Sequence, residues 1–173
     1  MILLVEDGQG LPDSNSYISE SDVMNLLPSS SLEEWNLLTQ DERIDRLVAA
    51  SQFIDISFEW VGTRKTLEQG FSWPRVGVSY QGHEIPDDII PQPIKKAVVM
   101  SLLIINDQGL EVFRSTGEAQ VKREKFAVME TEYFDPKILD ENKSGFDDIN
   151  NLLRGFYIVQ KGSGMISVEV LRK

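Results

Sequence analysis

From Phe58 to Ile90 the chain shows no helical period, and that gap constrains what the flanking segments can build. Gly62, Gly70, Gly77, Gly82, Pro74 and Pro86 punctuate it, as turns do. Phe58, Trp60, Phe71, Trp73 and Tyr80 supply too much apolar surface for a loose tether. Loops this long in compact domains are either functional or disordered. The reading is therefore a long ordered loop, with a hairpin expected at Val76–Ile85.

On both sides of the loop the pattern is helical. Ser19-Glu-Ser-Asp22 places an acid at the third helical position, as a capping box does, and the helix it starts must stop before Pro28. Leu32-Glu-Glu-Trp35 suggests a short helical turn. Thr39-Gln-Asp-Glu42 is a second capping box. Behind it Ile44, Leu47, Val48 and Ser51 fall at i, i+3, i+4 and i+7, continuing to Ile54, which makes one buried stripe. The third helix enters through Pro91 and Pro93 and ends at Gly109. Ile94, Ala97, Val98, Ser101, Leu102 and Ile105 share a face, while Val99, Met100, Leu103 and Ile104 carry apolar surface nearly all round. A helix of this kind is central to a bundle or buried between subunits, so these four residues are the candidate subunit interface.

Elsewhere the period changes to two. Met1–Val5 reads as a short strand, and Glu6 to Asn15 as turn chemistry. Phe126–Tyr133 reads as a strand, paired in a hairpin with Ala119–Arg123. Asp135–Gly145 is a polar loop, and Ser144 caps a helix that runs to Leu153 and closes at Gly155. Phe156–Gln160 and Met165–Leu171 alternate around Lys161-Gly-Ser-Gly164, as a hairpin on the same domain or an extended arm. The fold class expected is mainly α (α+β): a small helical bundle with a long aromatic loop, a strand or hairpin region and a C-terminal β arm. One domain spans 1–173, with a helical core at 16–110, the strand region at 117–136 and the arm at 155–173.

Composition narrows the chemistry. The 173 residues include no Cys and a single His, with a net charge of −11. Disulfides, thiolate nucleophiles and zinc–thiolate sites are thereby excluded. No basic region precedes the apolar Met1–Val5, and the run Ile94–Ile105 falls well short of the ~20 residues that span a bilayer, so a soluble protein with no membrane partner is expected. Residues 1–45 hold ten acids and one base, whereas the last twenty hold four bases and one acid. An acidic body repels a polyanion, and a basic tail seeks an acidic partner.

Catalytic constellations are missing. His83 sits alone in a Gly-rich loop, the phosphate-binding G-x-x-x-x-G-K-[ST] pattern is absent, and Gly8-Gln-Gly10 is a turn. Asp87 and Asp88 lie far along the chain from Glu141 and Lys143, too scattered for a metal nuclease. Glu130 and Glu132 on one strand face read as a solvated face rather than a cation site. No catalysis, metal or cofactor is expected. One binding reading remains. Trp60, Phe71 and Trp73 lie near Arg64, Lys65 and Arg75, and aromatics interleaved with bases can stack on single-stranded nucleic acid. Against it, residues 59–83 balance at only +1, which suits aromatics that pin the loop to the helices.

Several segments, in order, resemble one family. They are Val5-Glu-Asp-Gly8 with Leu11-Pro-Asp-Ser-Asn-Ser-Tyr-Ile-Ser19, then Phe71-Ser-Trp-Pro-Arg75 with Gly77. Ile85-Pro86, Ile90-Pro-Gln-Pro-Ile-Lys-Lys-Ala97, Glu124-Lys125, Glu132-Tyr133 and a basic tail follow. The set is similar to a tailed-bacteriophage group described as DnaT-like single-stranded DNA-binding, whose members resemble head-to-tail connectors, or adaptors. Phe126-Ala127 and the acidic insert Asp135–Asp148 depart from its pattern.

The resemblance implies a virion neck protein, made in the host cytoplasm, that forms a twelve-membered ring with itself. That ring would join the phage portal protein above to a tail protein below, and DNA would pass its acidic channel without specific binding. It further implies that an arm carrying Phe156, Ile158, Ile166, Val168, Val170, Arg172 and Lys173 grips the portal or a neighbour. Phe71, Trp73, Pro74 and Arg75 would form a loop motif of the family. The alternative is a single-stranded DNA-binding module that uses Trp60, Trp73, Arg64, Lys65 and Arg75.

Overall fold

The computed structural model describes residues 1–108 and 145–158. Within them the chain is mainly α-helical with small antiparallel strand pairs, the class the periodicities imply. The expected strands at 117–136, the loop up to residue 144 and the segment Met165–Leu171 lie outside the described residues.

Helix α1 (Glu20–Leu26) starts at a Ser19 capping box, with Asp22 as its third residue, and stops before Pro28. Helix α2 (Ser29–Leu37) is longer than the turn expected at Leu32–Trp35. Pro28 provides its N-cap and Trp35 is its buried anchor. Proline suits a helix entrance because its missing N–H would be unpaired there anyway. Helix α3 (Gln40–Ser57) begins at the Thr39–Glu42 box and buries Ile44, Leu47, Val48, Ser51 and Ile54, the stripe legible in the sequence, together with Ala50 and Phe53. Full burial of one such aliphatic side chain favours folding by about 1.5–3 kcal/mol.

The loop after α3 is ordered by two short antiparallel pairs. Strand β1 (Thr63–Arg64) pairs with β2 (Arg75–Val76), and β3 (Ser79–Tyr80) with β4 (His83–Glu84). The second pair lies inside the expected Val76–Ile85 hairpin. The first was not visible in the sequence, since its paired residues stand 11 and 13 positions apart and each strand is two residues long. Helix α4 (Gln92–Gln108) packs along α3 and touches α1. Helix α5, over 145–152, adds buried Ile149, and Leu153 is buried just beyond it.

Three expectations change. Met1–Val5 forms one parallel bridge, Val5 to Ser16, instead of a full strand. Val99, assigned above to a subunit interface, is 3% exposed within the protein's own core. Met100 and Ile104 are partly buried against the same core, which leaves Leu103 as the exposed member of the four. Phe156, expected in the arm, is fully buried: it stacks on Tyr80 at 4.4 Å and meets Trp73 edge-on at 5.9 Å. The chain beyond it runs against the loop, with Val61 N–H donating to Phe156 O (3.0 Å) and Ile158 N–H to Glu59 O (2.7 Å). Ile158 is the first half-exposed residue after that clamp.

Candidate functional site

The segments that carry the family resemblance meet in space. Glu6 is 2% exposed, and its carboxylate accepts from the N–H groups of Gly8 (2.9 Å), Gly10 (2.8 Å) and Leu11 (2.7 Å) and from the Ser14 hydroxyl (3.2 Å). A buried charge is tolerable only when hydrogen-bonded in this way. The turn thus wraps its own anion. Gly8 holds φ +100° with its Cα against the Asp88 carbonyl, so a side chain fits neither the dihedral nor the space.

Further along, Ser16 and Tyr17 dock on α3. The Ser51 hydroxyl accepts from Tyr17 N–H at 3.1 Å and meets the Ser16 hydroxyl at 3.2 Å. The buried Tyr17 ring stacks on Phe71 at 4.4 Å. Its hydroxyl donates to Asp55 and accepts from Trp73 N–H at 3.1 Å, while Asp55 also accepts from Ser72 N–H at 2.8 Å. Burial first, and the Asp55 charge second, push the Tyr17 phenol well above its ordinary range.

The aromatic loop closes the web. Trp73 is fully buried, Phe71 is 4% exposed and Trp60 is 6% exposed. Trp60 and Trp73 meet edge-on at 6.0 Å. Arg75 aims its guanidinium inward at four carbonyls: Val61 (2.6 Å), Gly62 (2.6 Å), Ser72 (3.1 Å) and Trp60 (3.3 Å). Its pKa falls, first through burial and then through the neighbouring Arg64. Lys65 donates to Gly8 O at 3.1 Å, and buried Gln69 locks the turn through Thr66, Phe71 O and Pro74 O. Of the loop's three bases, Arg64 alone is exposed.

This geometry corrects the residue assignment for nucleic-acid stacking. A base needs an open ring face, and neither Trp60 nor Trp73 presents one. The aromatics pin the loop to the helices, the role that the near-neutral charge of residues 59–83 suggested. Glu6, Asp55 and Gln69 were missed. A carboxylate two and four residues before glycines was the available signal for Glu6. Asp55 offered none, because its partners Tyr17 and Ser72 are distant in sequence, and Gln69 offered none, because its side chain bonds nearby main-chain groups that any residue carries.

Among the described residues, no built chemical centre accompanies the web. His83 is exposed on β4. Among the described residues no group of three or more His, Asp or Glu is placed to hold a metal ion, and no helix is long and apolar enough to cross a membrane. A cleft of about 330 Å³ is lined by Glu6, Asp7, Ile89, Ile90, Gln92 and Lys95. The Glu6 carboxylate already has its donors, and Lys95 is paired with Asp22 at 3.4 Å. Of the residues assigned to an arm, Phe156 and Ile158 are placed as above; Ile166, Val168, Val170, Arg172 and Lys173 lie outside the described residues.

Fold and site together define a small helical scaffold whose N-terminal turn, long loop and third helix are locked by one buried polar and aromatic web. The chain belongs to the family described as "Putative DnaT-like ssDNA binding protein", whose model matches residues 1–173. No curated protein and no solved structure gives a significant match. The family description agrees with the single-stranded DNA reading and does not speak of a connector.

Proposed function

We propose that the chain is a structural, non-catalytic assembly protein: a head-to-tail adaptor that rings with its own copies under a phage portal. The observation that carries this reading is the inward orientation of the aromatic–basic loop. With Trp60 and Trp73 buried in the core and the half-buried Arg75 guanidinium occupied by four main-chain carbonyls, the loop adds little free positive charge to a chain whose net charge is −11. An acidic wall lets DNA pass without sticking. The ordered motifs described above support the same reading, as does the basic segment that follows the Ile158 exit.

The family description favours a second reading, and supports it more directly than it supports the adaptor: binding of single-stranded DNA. With the tryptophans buried, that reading rests on exposed cations such as Arg64 and Lys96. Two measurements separate the readings. Size-exclusion chromatography with light scattering, with and without portal, should give a defined ring on the portal; no association would overturn the adaptor. Fluorescence anisotropy with a labelled oligo-dT at low salt should stay flat. Saturable binding that weakens with salt would establish the second reading in its place.

A further inference from the structure

The segment Met1-Ile-Leu-Leu-Val5 has no polar side chain, and it runs extended beside residues 15–16. All of its hydrogen bonds leave from one edge. Leu4 O accepts from Asn15 N–H (2.8 Å) and Ser16 N–H (3.2 Å), and Glu6 N–H donates to Ser16 O (2.8 Å). The Asn15 side chain completes that edge through Leu4 N–H (2.7 Å) and Ile2 O (2.8 Å). Extended backbone alternates, so the N–H and C=O groups of Leu3 and Val5 face the other way. Among the described residues they have no hydrogen-bond partner. Leu3 packs inward on the core, while Met1, Ile2 and Leu4 are 72%, 76% and 43% exposed.

Soluble proteins protect such an edge with a Lys, a Pro or a bulge. This one carries none. We infer that the free edge of Met1–Val5 is a strand acceptor, and that its occupant is the segment Met165–Leu171 of a second copy of the chain. Strand addition takes main-chain bonds for affinity and alternate side chains for specificity. Ile166, Val168 and Val170 alternate in that segment, and Arg172 and Lys173 follow it.

Charge is complementary. The acceptor belongs to the stretch 1–45, with ten acids and one base; Asp41 lies 3.5 Å from the Met1 amino group, and Asp7 and Asp13 are exposed. Position limits the same chain to one orientation. The described chain ends at Ile158, bonded to Glu59 just past the C-terminal end of α3, whereas Met1 sits by Asp41 at its N-terminal end, about 27 Å away. The seven steps from Ile158 to Met165 span about 24 Å at full extension, which falls short of Met1 but reaches the Val5 end, paired with Ser16 beside Ser51. A second copy takes either orientation. The inference rests on the adaptor reading, in which the C-terminal segment grips another subunit.

The chain has no cysteine, so cross-linking tests the contact cleanly. Full-length Leu4→Cys protein is mixed with full-length Val168→Cys protein and oxidised, and the experiment is repeated with Ile166→Cys and Val170→Cys to cover register. The expected result is a mixed disulfide dimer that exceeds either homodimer. No mixed disulfide at any of the three positions overturns the inference. So does a double variant that cross-links only within one chain at high dilution, since that makes the occupant the chain's own segment. A second variant, Ile2→Lys with Leu4→Lys, should lose self-association while its thermal unfolding stays unchanged. Rings that still assemble on the portal with this variant would overturn the acceptor edge and leave the adaptor standing. A wild-type protein that never binds portal would remove the adaptor reading instead, whatever cross-links form.

Discussion

The Tyr17 hydroxyl bridges Asp55 on α3 and the main chain of Trp73, so one buried oxygen ties the N-terminal motif to a helix and to the long loop. Tyr17→Phe keeps the ring stack on Phe71 but leaves Trp73 N–H without its acceptor. The expected loss is about 1–3 kcal/mol, measured by urea unfolding. Alkaline pH adds a second signature. The folded-state pKa is raised above the ordinary value of 10.0, so the stabilisation is full below about pH 10 and drains away as pH rises toward the folded value. Tyr17→Phe should remove that alkaline slope. An unchanged slope would mean that another group causes it.

Acid should act through the helix caps. Asp22 is held below its ordinary pKa of 3.8: burial pulls upward, but the Ser19 backbone and hydroxyl bonds, with Lys95 behind them, outweigh it. Glu42 is lowered from 4.5 by the Thr39 backbone and hydroxyl. Depressed carboxylates contribute stability above their unfolded values, and that contribution is lost as pH falls through the folded ones. Stability should therefore drop below about pH 4.5. Ser19→Ala should cost about 1 kcal/mol at neutral pH and flatten part of the acid limb in thermal melts.

Gly8 is a sharper test of the N-terminal turn. Its φ of +100° and its contact with the Asp88 carbonyl leave no room for Cβ. Gly8→Ala should cost more than about 2 kcal/mol, combining left-handed strain with disruption of the Glu6 cage. Urea midpoints close to wild type would show that the cage does not need this geometry.

These elements were unequally legible. The capping boxes, the Ile44–Ile54 stripe and the stop before Pro28 follow from spacing within one turn or one helix, and spacing is what a sequence displays. The full length of α2 around Trp35 is less legible, because Pro28 ends one helix and caps the next, and a proline in sequence does not say which it does. Tyr17–Asp55, Glu6 with its glycines, and Arg75 with its four carbonyls are tertiary closures. In Arg75 the same side chain suits a phosphate or a ring of carbonyls, and only the folded loop distinguishes them. Phe156 was assigned to an arm for a related reason: an alternating pattern marks extended backbone but does not say where the chain stops touching its own core.

Burial changes how a DNA-binding assay must be read. Trp73 is fully buried, so Trp73→Ala should lower stability by about 3–5 kcal/mol, and lost binding in that variant would report lost fold. Arg64 is exposed on β1, and Arg64→Ala should leave thermal unfolding within about 0.5 kcal/mol of wild type. If the protein binds oligo-dT through this surface, Arg64→Ala should weaken binding and reduce its salt slope by about one ion. Binding that is indifferent to Arg64 places any DNA contact elsewhere.

Where the chain is cut should decide whether it still folds. Phe156 fills the space between Trp73 and Tyr80, and its carbonyl accepts from Val61 N–H. Deleting residues 156–173 therefore removes a core aromatic, at a cost of about 3–5 kcal/mol. Deleting 159–173 leaves that clamp whole and should preserve the melting temperature of the full chain. The two truncations thus separate packing from partner binding: in pull-downs with portal, only the shorter deletion tests the grip of the C-terminal segment. Retained binding after deletion of 159–173 would move the portal contact onto the helical body. A melting temperature that falls equally in both truncations would mean that residues beyond Ile158 also support the core.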